Sequence, residues 1–90
     1  MLDRTLRALS DPTRREILRA LREGDLTAGE IAARFPITAA SVSHHLATLR
    51  EAGLVTVERR GKHLHYTLET TVFQEMVQEM MNLLGTRGEP

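Results

Sequence analysis

Ninety residues with no cysteine, twelve Lys and Arg, twelve Asp and Glu and a formal charge of zero describe one small domain. They exclude a disulfide, a thiolate metal site and a cysteine nucleophile. No run of about 18 apolar residues exists, and the start, "MLDRTLRALSDP", carries acids and no apolar stretch, so no membrane insertion and no secretory leader are expected and a cytoplasmic protein is the default.

Leu2, Leu6 and Leu9 are spaced as on one side of a first helix, over 2–9, which Ser10-Asp11-Pro12 interrupts. Asp11 is the expected N-cap of a second helix, with Pro12 at its first position, where a missing N–H is harmless. That helix is expected to run to about Arg22 with Ile17, Leu18 and Leu21 facing inward, and Gly24 ends it. "TAGEIAARF" opens on Thr27 and places Glu30 three residues later, the spacing of a capping box. Ile31, Ala32 and Phe35 give this helix a short apolar face, and Pro36 and Ile37 turn the chain. Thr38 is the next N-cap, for a helix reaching about Ala52 and closed by Gly53, with Val42, Leu46 and Leu49 as its buried stripe.

In "LVTVERRGKHLHYTLE", Val55 and Val57, then Leu64, Tyr66 and Leu68, alternate with polar residues on either side of Arg60-Gly61-Lys62. That is a β-hairpin with a basic tip. Phe73, Met76, Val77, Met80, Met81 and Leu84 follow the i, i+3, i+4, i+7, i+8, i+11 pattern of an amphipathic helix over about 71–84. Residues 85–90 read as a flexible tail. The fold class is mainly α with a small β-hairpin. A short helix, a tight turn and a helix rich in small polar residues make a helix-turn-helix, and the hairpin after it is a wing, so residues 1–90 form a single winged helix-turn-helix domain.

Charge is unevenly placed. Residues 1–25 carry six Arg against five acids, 26–68 five Lys or Arg against three acids, and 69–90 one Arg against four acids. All four His lie in the basic middle, which fits a nucleic-acid surface there.

The segments "LSDPTRREIL" (9–18), "LTAGEIAARF" (26–35), "SVSHHLATLREAGLV" (41–55) and "RRGKHLHYTL" (59–68), in this order and spacing, resemble the ArsR/SmtB family of small winged-helix repressors, and most closely its metal-free, SdpR-like autorepressor subgroup. The resemblance covers about residues 3–84. It implies a homodimer that binds double-stranded operator DNA and releases it on a signal, through an unidentified protein or small-molecule inducer. Metal-sensing members of the family carry a cysteine motif on the helix before the recognition helix, or Asp, His and Glu ligands on the last helix. Here the first position reads "AGEIAARF", without a thiolate, and the last helix has no His or Asp. Its Glu75 and Glu79 are two carboxylates without imidazole, poor zinc ligands. No metal site and no cofactor are expected.

The helix through 39–51 turns about 100° per residue. With Val42, Leu46 and Leu49 set inward, Ala40, Ser43, His44 and Ala47 fall on the opposite face or its edge, and His45 flanks the core, as a packed histidine bonded to backbone. Alanines let the helix approach a major groove and touch thymine methyl groups, while Ser43 and His44 can hydrogen-bond base edges or phosphates. The resemblance implies DNA contacts at these positions; the expected set on this helix is Thr38, Ala39, Ala40, Ser41, Ser43 and His44. Arg50 is a phosphate clamp or else a salt-bridge partner. Arg59, Arg60 and Lys62 on the wing can neutralise phosphates, or merely guard an edge strand with charge. Arg14 and Arg15 are read as structural.

The apolar stripe of the last helix, widened by Val72 and Leu83, exceeds what a three-helix core can cover. Together with Leu2 and Leu6 it suggests a two-fold interface made of Phe73, Met76, Val77, Met80, Met81 and Leu84. A dimer would set two recognition helices about 34 Å apart on a near-palindromic site.

Three other readings use the same residues. Ser41 or Ser43 beside a His lacks an orienting acid and a strained "GxSxG" elbow, so an enzyme is not expected. His63 and His65 alternate on a strand and share a face, where an acid or His44 would complete a zinc or nickel site in a metal- or ligand-responsive repressor. Zero net charge suits a protein-interaction module of the same fold that has lost DNA binding.

Overall fold

The computed structural model describes residues 2–85, so of the tail expected at 85–90 only Gly85 lies among them. The order is α1 (Leu2–Leu9), α2 (Pro12–Arg22), β1 (Leu26–Thr27), α3 (Ala28–Arg34), α4 (Ala39–Glu51), β2 (Val55–Arg60), β3 (His63–Leu68) and α5 (Thr71–Leu83).

The helix starts are set by short polar side chains that accept otherwise unpaired backbone N–H groups. Asp11 accepts from Arg14 N at 3.0 Å, with Pro12 opening α2. Thr27 Oγ1 accepts from Glu30 N at 3.1 Å while Glu30 Oε1 accepts from Thr27 N at 2.8 Å, the complete capping box of α3. Thr38 Oγ1 accepts from Ser41 N at 3.0 Å and opens α4. The end of α4 is a Schellman motif: Leu54 N donates to Leu49 O and Gly53 N to Arg50 O, each at 3.0 Å. It requires the left-handed φ of +77° found at Gly53, and a Cβ there would stand 3.0 Å from Val72 Cγ2.

The sheet departs from the expected hairpin. It has three antiparallel strands in the order β1-β3-β2, with Leu26 opposite Tyr66 and Thr27 opposite His65. β2 and β3 pair from Val55 with Leu68 to Arg60 with His63. Gly61 and Lys62 form the turn, with positive φ (+62°) at Gly61 and none at Lys62, the type II′ pattern that matches strand twist.

One core joins these elements. It comprises Ala8 of α1, Ile17, Leu18 and Leu21 of α2, Leu26, Ile31 of α3, Val42, Leu46 and Leu49 of α4, then Ala52, Leu54 and Val55. The inward residues expected on α2 and α4 are all there. α1 behaves differently: its buried residues are Thr5 and Ala8, while Leu6 is exposed. α5 contains no buried residue, although Val72 and Phe73 pack partly on the core.

Candidate nucleic-acid interface

α3, the turn and α4 present one polar face to solvent. Thr38, Ala39, Ala40, Ser43, His44, Ala47 and Arg50 are exposed, and Ser41 is half-buried. The 3.6-residue period does this: burying Val42, Leu46 and Leu49 leaves the intervening positions outside. Thr38 keeps its hydroxyl proton for an outside acceptor, because its oxygen serves as the cap. Thr48 Oγ1 donates to the backbone His44 O at 3.1 Å, and the His44 ring makes no hydrogen bond among the described residues.

The two adjacent histidines part ways. Their rings are 5.9 Å apart and tilted by 54°. His45 has a side chain only 15% exposed, and its partners are side chains, not the backbone expected: Nδ1 is 3.2 Å from Arg14 Nη1 and 4.0 Å from Asp11 Oδ2. A guanidinium can only donate, so Nδ1 accepts that bond. Arg14 also donates through Nε to Ala8 O at 2.7 Å and through Nη2 to Arg7 O at 3.2 Å. One side chain thus ties the end of α1 and the start of α2 to α4, the structural role read for it. Arg15 ties α2 to the end of α1 alone, donating to Leu9 O at 2.7 Å. The backbone bond from Arg14 holds the Asp11 carboxyl below its usual range, opposed by burial and aided by the charge of Arg14.

Arg50, Ser43, Ala47 and Tyr66 line a cleft of about 420 Å³ between α4 and the wing. Among the described residues Arg50 enters no ion pair. The wing cations differ from one another. Strand alternation puts Arg59 on the sheet face of Val55, Val57 and Tyr66, which is turned toward α4. Arg60 lies on the opposite face, with Nε 2.6 Å from Glu58 Oε1 and Nη2 3.3 Å from Asp25 Oδ2. The bond and charge of Glu58, then those of Asp25, hold this guanidinium more firmly protonated. Arg59 and Lys62 have no ion pair or side-chain hydrogen bond among the described residues. No three His, Asp or Glu among the described residues come together in a metal-holding group, so His63, His65 and their acidic neighbours do not form one. Also among these residues, no helix is long and apolar enough to cross a membrane.

A capped helix pair with an exposed small-residue reading face, a sheet wing beside it and two unpaired wing cations define a winged helix-turn-helix regulator of transcription. The comparisons narrow this. Residues 9–58 match the helix-turn-helix domain family. The chain is 43% identical over 84 residues to the transcriptional repressor SdpR of Bacillus subtilis, covering 93% of both proteins. It is 37% identical over 83 residues to the transcriptional regulator CmtR of Mycobacterium tuberculosis, covering 92% of this chain and 70% of that protein. An ArsR-like transcriptional regulator from Rhodococcus shares the fold with a TM-score of 0.83 at 30% identity, over 93% of this chain and 78% of that one. The chain belongs to the ArsR family of helix-turn-helix proteins: it is a DNA-binding transcriptional regulator and not an enzyme.

Proposed function

We propose that this regulator is a cytoplasmic homodimeric repressor that reads a near-palindromic operator with two copies of α4 in successive major grooves. The observation that carries the DNA contact is the exposed Thr38–Arg50 face of α4, lined by alanines for close approach and by Ser43 and His44 as hydrogen-bonding tips. Arg50, Arg59 and Lys62 supply phosphate contacts around it; Arg60, engaged by two carboxylates, contributes least.

The dimer rests on α1 and α5. Leu6 (44%), Val77 (52%), Met80 (46%) and Leu83 (71%) are exposed, a large apolar area for a surface helix pair. Met76, Met81 and Leu2 are half-buried beside them, and Leu84 continues the stripe, while Phe73 turns toward its own core. The radius of gyration is 14.5 Å, against about 12 Å for a compact chain of this length. The extended shape fits half of a two-fold assembly.

The test is a binding titration on fragments selected from genomic DNA. Ser43→Ala combined with His44→Ala should lower affinity for the selected site and flatten its preference over random DNA. Unchanged affinity and preference would remove these residues from the reading head.

A further inference from the structure

A second concave surface lies at the junction of α1, α2, the end of β3 and the start of α5. Leu9, Leu18 and Phe73 form its apolar side, joined by Leu68, and it encloses about 350 Å³. That is at the lower end of the range for small organic ligands, about 300–1,000 Å³. Arg15, Arg19 and Arg22 form its other wall. Their spacing of four and three residues stacks them along one side of α2.

The wall keeps a positive excess. Arg15 donates to a backbone carbonyl, Leu9 O, and faces no acid. Arg19 pairs with Glu16, and Arg22 Nε stands 3.9 Å from Glu23 Oε2 with both side chains exposed. Among the described residues, no carboxylate lines the trough itself. Arginine stems often lie flat over apolar surface and cover it; here they leave a hollow open.

The two walls select a ligand between them. An apolar side gives nothing to a bare inorganic anion, and a guanidinium wall rejects an amphipathic cation. We propose that the trough binds a medium-chain aliphatic carboxylate, its chain along Leu9, Leu18 and Phe73 and its head group on Arg22, whose contact with Glu23 is loose, and on the guanidinium donors of Arg19 that Glu16 leaves over. Guanidinium and carboxylate match as paired, charge-assisted hydrogen bonds. This goes beyond DNA binding and is tested without DNA, so either reading can fail alone.

The experiment is calorimetric titration of the full-length protein with octanoate, acetate and octylammonium, each below micelle-forming concentration. Octanoate should saturate one site per protomer, at least tenfold more tightly than acetate or octylammonium. Arg19→Gln with Arg22→Gln should weaken octanoate at least tenfold and leave the melting temperature unchanged, since both side chains are on the surface. Acetate binding as well as octanoate would overturn the proposal in favour of a plain anion site. Octylammonium binding equally well would reduce it to an apolar surface. If octanoate does not bind, and the double variant instead shifts the monomer–dimer equilibrium in sedimentation, the trough belongs to a second copy of this chain and the proposal fails.

Discussion

Removing the Asp11 carboxylate should loosen the mount of the recognition helix. Its Oδ2 accepts from Arg14 N at 3.0 Å and stands 4.0 Å from His45 Nδ1. Asp11→Ala deletes the α2 N-cap, a loss of about 1 kcal/mol within a range of about 0.5–2. Asp11→Asn keeps an acceptor for the Arg14 N–H and loses only the charge at the helix start, a cost of about 0.3–1 kcal/mol. For a domain of this size each kcal/mol lowers Tm by about 4–8 °C. Asp11→Ala should therefore melt several degrees below the wild type, with Asp11→Asn between them. Melting is followed by circular dichroism at one fixed protomer concentration, because association shifts Tm by mass action.

The pH dependence has a definite sign. The folded carboxyl sits below its unfolded value of about 3.9. Its stabilisation is present in full above that value and is lost as the pH falls through the folded one. The gap between wild type and Asp11→Asn should close in strong acid, as the pH falls through the folded value. An Asp11→Asn protein as unstable as Asp11→Ala would refute the cap as the source, and a gap that survives below both values would refute the charge.

On the wing, Arg59→Ala and Lys62→Ala should each reduce the log–log salt slope of DNA binding by about 1.8, since each removes two contacts of about 0.9 from a bound dimer, measured by fluorescence anisotropy across salt concentrations. Arg60→Ala should change that slope least, since Glu58 and Asp25 already neutralise it; an equal change at all three would dismiss the sorting by strand face. Val77→Glu with Met80→Glu should yield a folded monomer in sedimentation, and a surviving dimer would place the interface elsewhere. Gly53→Ala should destabilise the domain by more than about 1 kcal/mol in urea unfolding, because it meets both a φ of +77° and a Cβ contact of 3.0 Å with Val72.

What was legible in the sequence is what local chemistry decides. Asp11, Thr27 and Thr38 announce helix starts because a cap needs partners only three residues away. Gly53 and Gly61 mark the backbone positions that need positive φ. The inward stripe of α4 follows from its period, and with it the outward set of Ser43 and His44. β1 was hidden because a two-residue strand has no pattern of its own and exists only through Tyr66 and His65, far along the chain. The side-chain partners of His45 come from α2, and half of the engagement of Arg60 comes from Asp25, so no local spacing points to either. In α1 Leu2 and Leu6 were read toward a two-fold interface, and the residues that α1 buries, Thr5 and Ala8, carry no apolar spacing that would announce them. The rule that apolar residues turn inward breaks down for helices that sit at the margin of the core.

The two-residue β1 adds a second tie between the wing and the helices, which Val55, Tyr66 and Leu68 already join through the core. It pairs with β3 on one side and runs directly into the capped start of α3 on the other. β1 thus links the wing to α3, the helix that packs against α4. With α4 docked as proposed, the wing can reach only backbone that lies one set distance away. A-form duplexes, with their deep, narrow major groove and wide, shallow minor groove, offer neither helix nor wing a seat. On that proposed docking, the shape of B-form DNA would be part of what is recognised, before any base is read.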